Sequence, residues 1–205
     1  MDNDFLQPAN GWNVLPSPRL HAPAPAARGL LFRTVSQVSG LFGRKEIPDV
    51  FTVLHINPRL FWAWLLFASR LMPWGKLPAA VREKIILRTA WNCRSRYEWG
   101  QHVEIALRVG VSDDEIVAIA GGAEACADEY EKAVMRACDE VFHDKCISTA
   151  TWQTLSKRYS DRLLIEIMIL IGHYEMLAGF LNSAGIALEA DTEAELQAFY
   201  RRVAV

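Results

Sequence analysis

Cysteine is scarce in this chain, with four residues in 205, and no two of them form a Cys-x-x-Cys pair. Disulfide frameworks belong to small secreted proteins that are dense in cysteine, so these thiols are expected to be reduced and the protein cytoplasmic. The missing pair also argues against a centre that cycles through a disulfide.

An excess of charge of either sign is missing as well. The chain has 22 Lys and Arg residues against 24 Asp and Glu residues, and its formal net charge is −2. Nucleic-acid binding needs a basic patch, which is absent from this dispersed pattern. The acidic start lacks the basic region of a signal peptide, and the apolar stretch 162–182 contains Glu166, His173 and Glu175, which are costly at membrane depth. We expect no nucleic-acid partner and no membrane anchor.

No stretch shows the alternation of a β-strand, whereas helix signals recur along the chain. Pro58 and Pro78 are placed to open helices, and Ser112–Glu115 and Thr192–Glu195 match the capping-box pattern. The sequence therefore predicts an all-α fold. The predicted helices span residues 58–72, 79–92, 95–109, 113–120, 128–143, 149–159, 162–182 and 192–202.

Proline is concentrated at the start: five of the nine prolines lie within residues 1–28, where they exclude regular helix and sheet. This arm also contains Trp12 and Leu20, so we expect it to lie over the core or a neighbouring subunit. We predict that residues 1–42 form the arm with a short helix within 29–41, and that 43–205 form one helical domain. The aromatic residues between Phe51 and Phe67 favour a core or subunit interface over a pocket wall.

Three ionisable residues fall where core residues are expected. Helical periodicity puts Glu83 on one face with Ile86, and puts Glu98 and His102 on one stripe with Ile105. A buried charge needs a partner or a shifted pKa, so the cluster is either a functional site or a polar network that fixes helix pairing. Because Glu98 and His102 are four residues apart, Glu98 is predicted to orient the imidazole, with Glu83 as a second acid/base group.

The spacing of these residues resembles the carboxymuconolactone decarboxylase/AhpD-like family. In its alkylhydroperoxidase branch, a Glu on the first helix is followed by Cys-x-x-Cys and then by His four residues later. Here Ser95 and Glu98 occupy the two Cys positions, and His102 occupies the His position. The decarboxylase-like branch lacks the thiol pair and has a Glu-x-x-x-His arrangement. This chain shows that arrangement in the segment YEWGQH. The resemblance is specific over residues 77–121 and looser over 43–188.

The resemblance implies an AhpD-like helical fold with two pseudo-repeated halves, and residues 162–186 weakly echo 82–111. It implies a lyase or isomerase without cofactor or metal that decarboxylates or isomerises a small unsaturated lactone acid or keto acid. His102 would be the proton donor, with Glu98 and Glu83 completing the catalytic set. It also implies a homo-oligomer, with a trimer favoured.

Four residues near the start of the second helix are candidates for substrate binding, namely Arg94, Ser95, Tyr97 and Trp99. Arg94 can anchor a substrate carboxylate, but a solvated arginine is the simpler interpretation. Two other functions stay open: an alkylhydroperoxidase-like antioxidant protein, for which Cys93 has no partner thiol, and a non-catalytic oligomeric ligand-binding protein. An accessible cavity at the ionisable cluster favours an enzyme, whereas a sealed and fully paired cluster favours a structural role.

Overall fold

The protein is all-α in the part that the computed structural model describes, which is residues 5–24, 28, 32 and 47–204. This confirms the predicted fold class. A 3₁₀ turn at Ala123–Ala125 lies between two of the α-helices. The α-helices are α1 Asp49–Leu54, α2 Pro58–Ser69, α3 Ala79–Asn92, α4 Arg96–Arg108, α5 Asp113–Gly121, α6 Glu129–Asp144, α7 Thr149–Leu155, α8 Asp161–Ala184 and α9 Ala190–Val203.

Local signals set the bounds of the helices that matter for the site. Helix α3 has the predicted bounds, and Ser95 stands as the N-cap residue of α4. The capping box of α5 is confirmed: the Glu115 N–H donates to Ser112 Oγ at 3.3 Å, and the Ser112 N–H donates to Glu115 Oε2 at 2.8 Å. These signals succeed because they depend on residues within one helical turn.

Helix α9 departs from the sequence prediction. It begins at Ala190, so Thr192 lies inside the helix and is buried, and the predicted capping box there is wrong. Glu189, the residue before the helix, accepts hydrogen bonds from the Asp49 N–H at 2.6 Å and from the Tyr97 hydroxyl at 2.7 Å. These contacts fix α9 against α1 and α4, and this tertiary anchoring decides where α9 starts.

Two other departures are smaller. Helix α1 was not predicted, and α7 ends at Leu155 rather than at residue 159. The short helix predicted within 29–41 falls outside the described residues except for Phe32, which is buried in a helical position.

Helix α3 is the centre of the packing, because α4, α5, α6 and α8 all contact it. Helix α8 is long and apolar enough to cross a membrane by length and composition alone. However, side chains along its whole length, from Leu164 to Ala184, are buried in the core. One face of the helix is therefore part of the core, whereas Ile165, Ile169 and Met176 stay exposed.

The two segments that echo each other in sequence differ in structure. Residues 82–111 form two helices, because the chain breaks at Arg94, whose φ of 53° lies in the left-handed region. Residues 162–186 instead run as one helix, α8, until Gly185, where φ is 70°. The second segment thus supplies a continuous wall opposite the helix pair of the first.

The proline-rich arm lies over the core, which is one of the two positions expected for it. The Trp12 ring packs against Trp91 and Trp99, with centroids 5.4 and 5.9 Å away. Backbone hydrogen bonds hold the arm, since the Asn13 N–H donates to the Arg94 carbonyl at 2.9 Å and the Arg19 N–H to the Ala184 carbonyl at 2.8 Å. The arm therefore covers the ends of α3 and α8.

Candidate functional site

A tight break between α3 and α4 brings the ionisable residues together. Cys93 ends α3, Arg94 takes the left-handed conformation, and Ser95 starts α4. The Ser95 N–H donates to the Ala90 carbonyl at 2.8 Å and closes the turn. The two helices then pack side by side, so that residues of α3 face residues of α4.

The core of the site is a chain of three side chains, Arg82, Glu83 and His102. His102 Nδ1 lies 2.7 Å from Glu83 Oε2, and Arg82 Nε donates to Glu83 Oε1 at 2.9 Å. Glu83 has no exposed surface, and His102 has 6%. Burial by itself raises the pKa of Glu83, but His102 and Arg82 outweigh it and lower that pKa below its ordinary value. Glu83 is therefore a buried carboxylate that keeps its charge.

The hydrogen bond to Glu83 assigns the tautomer of His102. An ionised carboxylate only accepts hydrogen bonds, so Nδ1 carries the proton that His102 donates to Glu83. In the neutral imidazole, Nε2 is then the acceptor. This is the arrangement that an acid/base histidine needs.

The predicted partner of His102 is therefore corrected from Glu98 to Glu83. Spacing of four residues places Glu98 and His102 on one face of α4, but it does not make them hydrogen-bond. The single Nδ1 proton goes to Glu83 from the facing helix, at 2.7 Å.

Glu98 is buried in a different way. It is 2% exposed, and neither of its carboxyl oxygens has a hydrogen-bond partner among the described residues. The same is true of the Ser95 hydroxyl, which is fully buried one turn earlier. Burial raises the pKa of Glu98 well above its ordinary value, and the nearby Ser95 hydroxyl opposes this only in part. Glu98 is thus held toward its neutral, protonated form.

Helix α8 adds two rings that the sequence did not assign to the site. The Tyr174 ring stands edge-on to His102, with centroids 5.1 Å apart. Burial raises the pKa of Tyr174 well above its ordinary value, and the nearby carboxyl groups of Glu83 and Glu98 add to this effect. His173 stacks on Trp64, and burial lowers the pKa of His173 to about 4. A clue to Tyr174 existed, since Tyr174-Glu175 echoes Tyr97-Glu98, but the echo gave no location.

Arg94 holds the arm in place. It donates to the Asn10 carbonyl at 3.0 Å and to Asn13 Oδ1 at 2.6 Å. The structure therefore gives Arg94 an anchoring contact in place of the predicted substrate carboxylate.

Tyr97 and Trp99 also make structural contacts. The Tyr97 hydroxyl donates to Glu189 and accepts from the Val50 N–H at 3.3 Å. Trp99 is fully buried and donates to the Tyr200 hydroxyl at 3.1 Å. Of the four predicted substrate-binding residues, Ser95 is the one that lies beside the ionisable cluster.

The thiols are not activated. Burial raises the pKa of Cys93 to about 12, and the nearby carboxyl groups of Glu98 and Glu175 add to this. A thiol with that pKa is a poor nucleophile at neutral pH. All four cysteines are free. Within the described ranges, no three His, Cys, Asp or Glu side chains are grouped so that they can hold a metal ion.

A cleft of about 250 Å³ lies outside the ionisable cluster. Its lining consists of Val81, Lys84, Asp128, Glu131, Val134, Met135, Arg158 and Tyr159. Lys84 is already paired there with Glu115 and Glu131. The ionisable cluster itself is buried and does not line this cleft. Among the described residues, Glu83 is paired at both carboxyl oxygens, whereas Glu98 is not. The cluster is therefore neither an open site nor a fully paired network.

Comparison with known proteins identifies the core of the chain. Residues 58–140 match the Carboxymuconolactone decarboxylase family, and this segment contains Glu83, Ser95, Glu98 and His102. No curated protein matches the sequence.

Solved structures extend the similarity to most of the chain. An alkylhydroperoxidase AhpD core protein from Ralstonia eutropha JMP134, described as an uncharacterized peroxidase-related protein, has a TM-score of 0.76 at 19% identity and covers 87% of this chain and 95% of its own. A peroxidase-related protein from Silicibacter sp. TM1040 has a TM-score of 0.76 at 14% identity, covering 89% of this chain and 97% of its own. A variant of the debrominase Bmp8 in complex with 2,3,4-tribromopyrrole has a TM-score of 0.73 at 16% identity, covering 91% and 99%.

At these identities the solved structures establish the fold and leave the reaction open. The family match covers residues 58–140, which include the helix pair α3 and α4. The chain is therefore similar to the Carboxymuconolactone decarboxylase family over residues 58–140, and it shares its fold with AhpD-like proteins over most of its length.

Proposed function

We propose that this protein is an enzyme that needs no cofactor and uses His102 to move a proton to or from a small conjugated carbonyl compound. The reaction is decarboxylation of an unsaturated lactone acid or keto acid, or isomerisation of a similar compound. The observation that carries the proposal is the chain from Arg82 through Glu83 to His102, with contacts of 2.9 and 2.7 Å. We place the protein in the cytoplasm.

The roles of the three residues follow from their hydrogen bonds. Arg82 keeps Glu83 ionised in a buried position, and Glu83 holds the Nδ1 proton of His102. A fixed negative charge on this side stabilises the imidazolium that forms when Nε2 takes a proton. Nε2 is the atom that exchanges the proton with the substrate.

In decarboxylation, the bond between the carboxylate and the adjacent carbon breaks, and its electron pair moves into the conjugated carbonyl. Carbon dioxide leaves, and the resulting enolate takes one proton on carbon from the His102 imidazolium. In isomerisation, Nε2 takes a proton from carbon and returns it at another position. Both reactions pass through an enolate that the site must stabilise in surroundings with little water.

The test is a screen of the wild-type protein against small unsaturated lactone acids and keto acids, with carbon dioxide release and proton exchange in deuterated water as the two readouts. Loss of a positioned acid/base group lowers turnover roughly 10²- to 10⁴-fold, so His102→Ala is expected to fall in that range. The matched control is His143→Ala, which removes an exposed histidine on α6. Equal turnover by wild type and His102→Ala contradicts the proposal.

Two other functions remain as alternatives with different outcomes. An alkylhydroperoxidase-like protein consumes peroxide through a thiol, so its activity depends on a cysteine and survives loss of His102 only in part. A non-catalytic ligand-binding protein binds compounds from the screen without releasing carbon dioxide or exchanging protons. The high pKa of Cys93 favours the acid/base function over the thiol-dependent one.

We also propose that the protein is a homo-oligomer, with a trimer favoured, and that the exposed face of α8 contributes to its interface. Ile165, Ile169 and Met176 are all at least 44% exposed and recur at helical spacing. Ile169→Glu is expected to shift sedimentation toward smaller species. The control is Trp152→Glu, which changes an exposed apolar residue on α7. A wild-type protein that sediments as a monomer at every concentration contradicts this proposal.

A further inference from the structure

Among the described residues, three buried polar atoms at the start of α4 have no partner at hydrogen-bond geometry. They are Ser95 Oγ and the two carboxyl oxygens of Glu98, although the Ser95 hydroxyl lies near enough to the Glu98 carboxyl group to affect its pKa. Ser95 occupies the N-cap position, but its side chain does not cap the helix. Leaving a buried polar group without a hydrogen bond is costly, so unpaired groups in one place indicate a site completed by a ligand.

The surroundings favour a ligand oxygen that gains negative charge. The N-terminus of this 13-residue helix carries a partial positive charge. Glu98 is held toward its protonated form, and a neutral carboxylic acid in an apolar site can donate a hydrogen bond. A hydroxyl and a carboxylic acid together then supply two O–H donors.

The charges of the cluster agree with this arrangement. Glu83 and Arg82 balance each other through their 2.9 Å ion pair. Burial alone raises the pKa of Glu98 and disfavours its charged form. With Glu98 neutral, a proton moved from substrate to His102 creates one positive and one negative charge, and the negative charge falls on the substrate oxygen.

Aromatic rings that contact one another extend from the surface to His102. Phe67 is 46% exposed and lies 5.4 Å from His173. His173 lies 5.3 Å from Tyr174, which lies 5.1 Å from His102. These rings pack against one another, and a planar ligand beside them can stack or pack edge-on.

We propose that Ser95 and Glu98 form an oxyanion-binding pair that donates two hydrogen bonds to the enolate oxygen of a planar conjugated carbonyl substrate. This pairing rests on the proposed acid/base function and defines its substrate class. No covalent bond to the protein forms: the proton from carbon resides on His102 Nε2, the electron pair on the substrate oxygen, and both Ser95 and Glu98 keep their protons.

The probe for the test is para-nitrophenol, whose phenolate oxygen stands in for the enolate oxygen and whose absorbance reports its ionisation. The wild type is expected to bind it as the phenolate. Glu98→Gln keeps a neutral donor of similar shape and is expected to bind within a few-fold of wild type, whereas Glu98→Leu removes the donor and is expected to bind roughly tenfold or more weakly. Ser95→Ala is expected to weaken binding in the same direction. The control is Glu195→Gln, an exposed change on α9.

Infrared spectroscopy of the wild-type protein supplies a second readout that does not depend on the folding of a variant. The spectrum at neutral pH is expected to contain the band of a buried protonated carboxyl group, which shifts when para-nitrophenol binds and is absent from Glu98→Gln. Absence of this band from the wild type overturns the proposal, as does absence of phenolate binding, equal binding by Glu98→Leu, or equally weak binding by Glu98→Gln and Glu98→Leu. Because neither readout needs turnover, failure of the oxyanion pair is distinguishable from failure of His102 as the acid/base group.

Discussion

Glu83 and Glu98 are two glutamates of one site that are buried to almost the same extent, at 0% and 2% exposure, yet their pKa values move in opposite directions. Glu83 lies between a guanidinium and an imidazole, and their interactions outweigh the effect of burial. Glu98 has only a nearby hydroxyl, so burial dominates and raises its pKa. Burial sets the cost of removing the charged carboxylate from water, and the hydrogen-bond and ion-pair partners decide whether the group keeps its charge.

This difference gives the two glutamates of the α3–α4 helix pair two different chemical roles. The charged carboxylate is suited to hold a proton on His102 and to stabilise an imidazolium. The neutral carboxyl group is suited to donate a hydrogen bond to a developing negative charge. Sites in which neighbouring titratable groups are pushed apart in pKa are typical of acid/base enzymes.

The largest effect on stability is expected for Glu83→Leu. Removing one member of a buried ion pair leaves Arg82 without its carboxylate and lowers the free energy of unfolding by about 3–5 kcal/mol. Urea unfolding at fixed protein concentration measures this. The control is Glu124→Leu, which breaks the exposed pair with Arg136 and is expected to have a much smaller effect. Equal losses for the two variants would show that the buried pair does not distinguish Glu83.

Glu98→Leu is expected to act in the opposite direction. Among the described residues Glu98 has no partner at hydrogen-bond geometry, and the neighbouring Ser95 hydroxyl only partly offsets the effect of burial on its pKa. An apolar side chain there is therefore expected to raise the free energy of unfolding by about 1–3 kcal/mol near neutral pH. The same urea experiment measures this gain. A loss as large as that of Glu83→Leu would mean that Glu98 is paired as Glu83 is. Gained stability together with lost phenolate binding is the pattern of a residue kept for function.

The pH dependence of unfolding distinguishes the two glutamates by sign. The ordinary glutamate pKa is 4.5, and the folded value for Glu98 lies above it. The folded protein therefore keeps a proton that the unfolded chain releases, and wild-type stability falls as pH rises from 4.5 through the folded value. Relative to wild type, Glu98→Gln is expected to gain stability over that window and to show no trend below it.

Glu83 gives the reverse dependence, because its folded pKa lies below 4.5. The stability from this carboxylate is present above 4.5 and is lost as pH falls through the folded value. Unfolding of Glu83→Gln and wild type across acid pH measures it. A difference between these two proteins that grows with rising pH above neutral would contradict the assignment.

The smallest effect is expected from the thiols. Replacing all four cysteines is expected to leave turnover within the range that packing losses explain, because none of Cys93, Cys126 and Cys138 has a lowered pKa. The readout is the same carbon dioxide and proton-exchange assay. Peroxide reduction that Cys93→Ser abolishes would revive the thiol-dependent alternative.

Local sequence patterns by themselves determined most of the helices and the burial of the site residues. The bounds of α3, the start of α4 beside Ser95 and the capping box at Ser112 depend on residues within one or two turns, and helical periodicity placed Glu83, Glu98 and His102 on buried faces. Such features are readable because the interactions that create them join near neighbours in the chain.

Only the tertiary structure decided which of these buried groups meet. His102 can face Glu98 on its own helix or Glu83 on the preceding one, and the packing of α3 against α4 selected Glu83. Tyr174 comes to His102 from a helix far along the chain, Arg94 turns to the arm, and Glu189 fixes the start of α9. The spacing of residues within one helix shows which side chains can meet. The packing of the helices decides which of them do, because a hydrogen bond forms only where the two atoms come within about 3 Å.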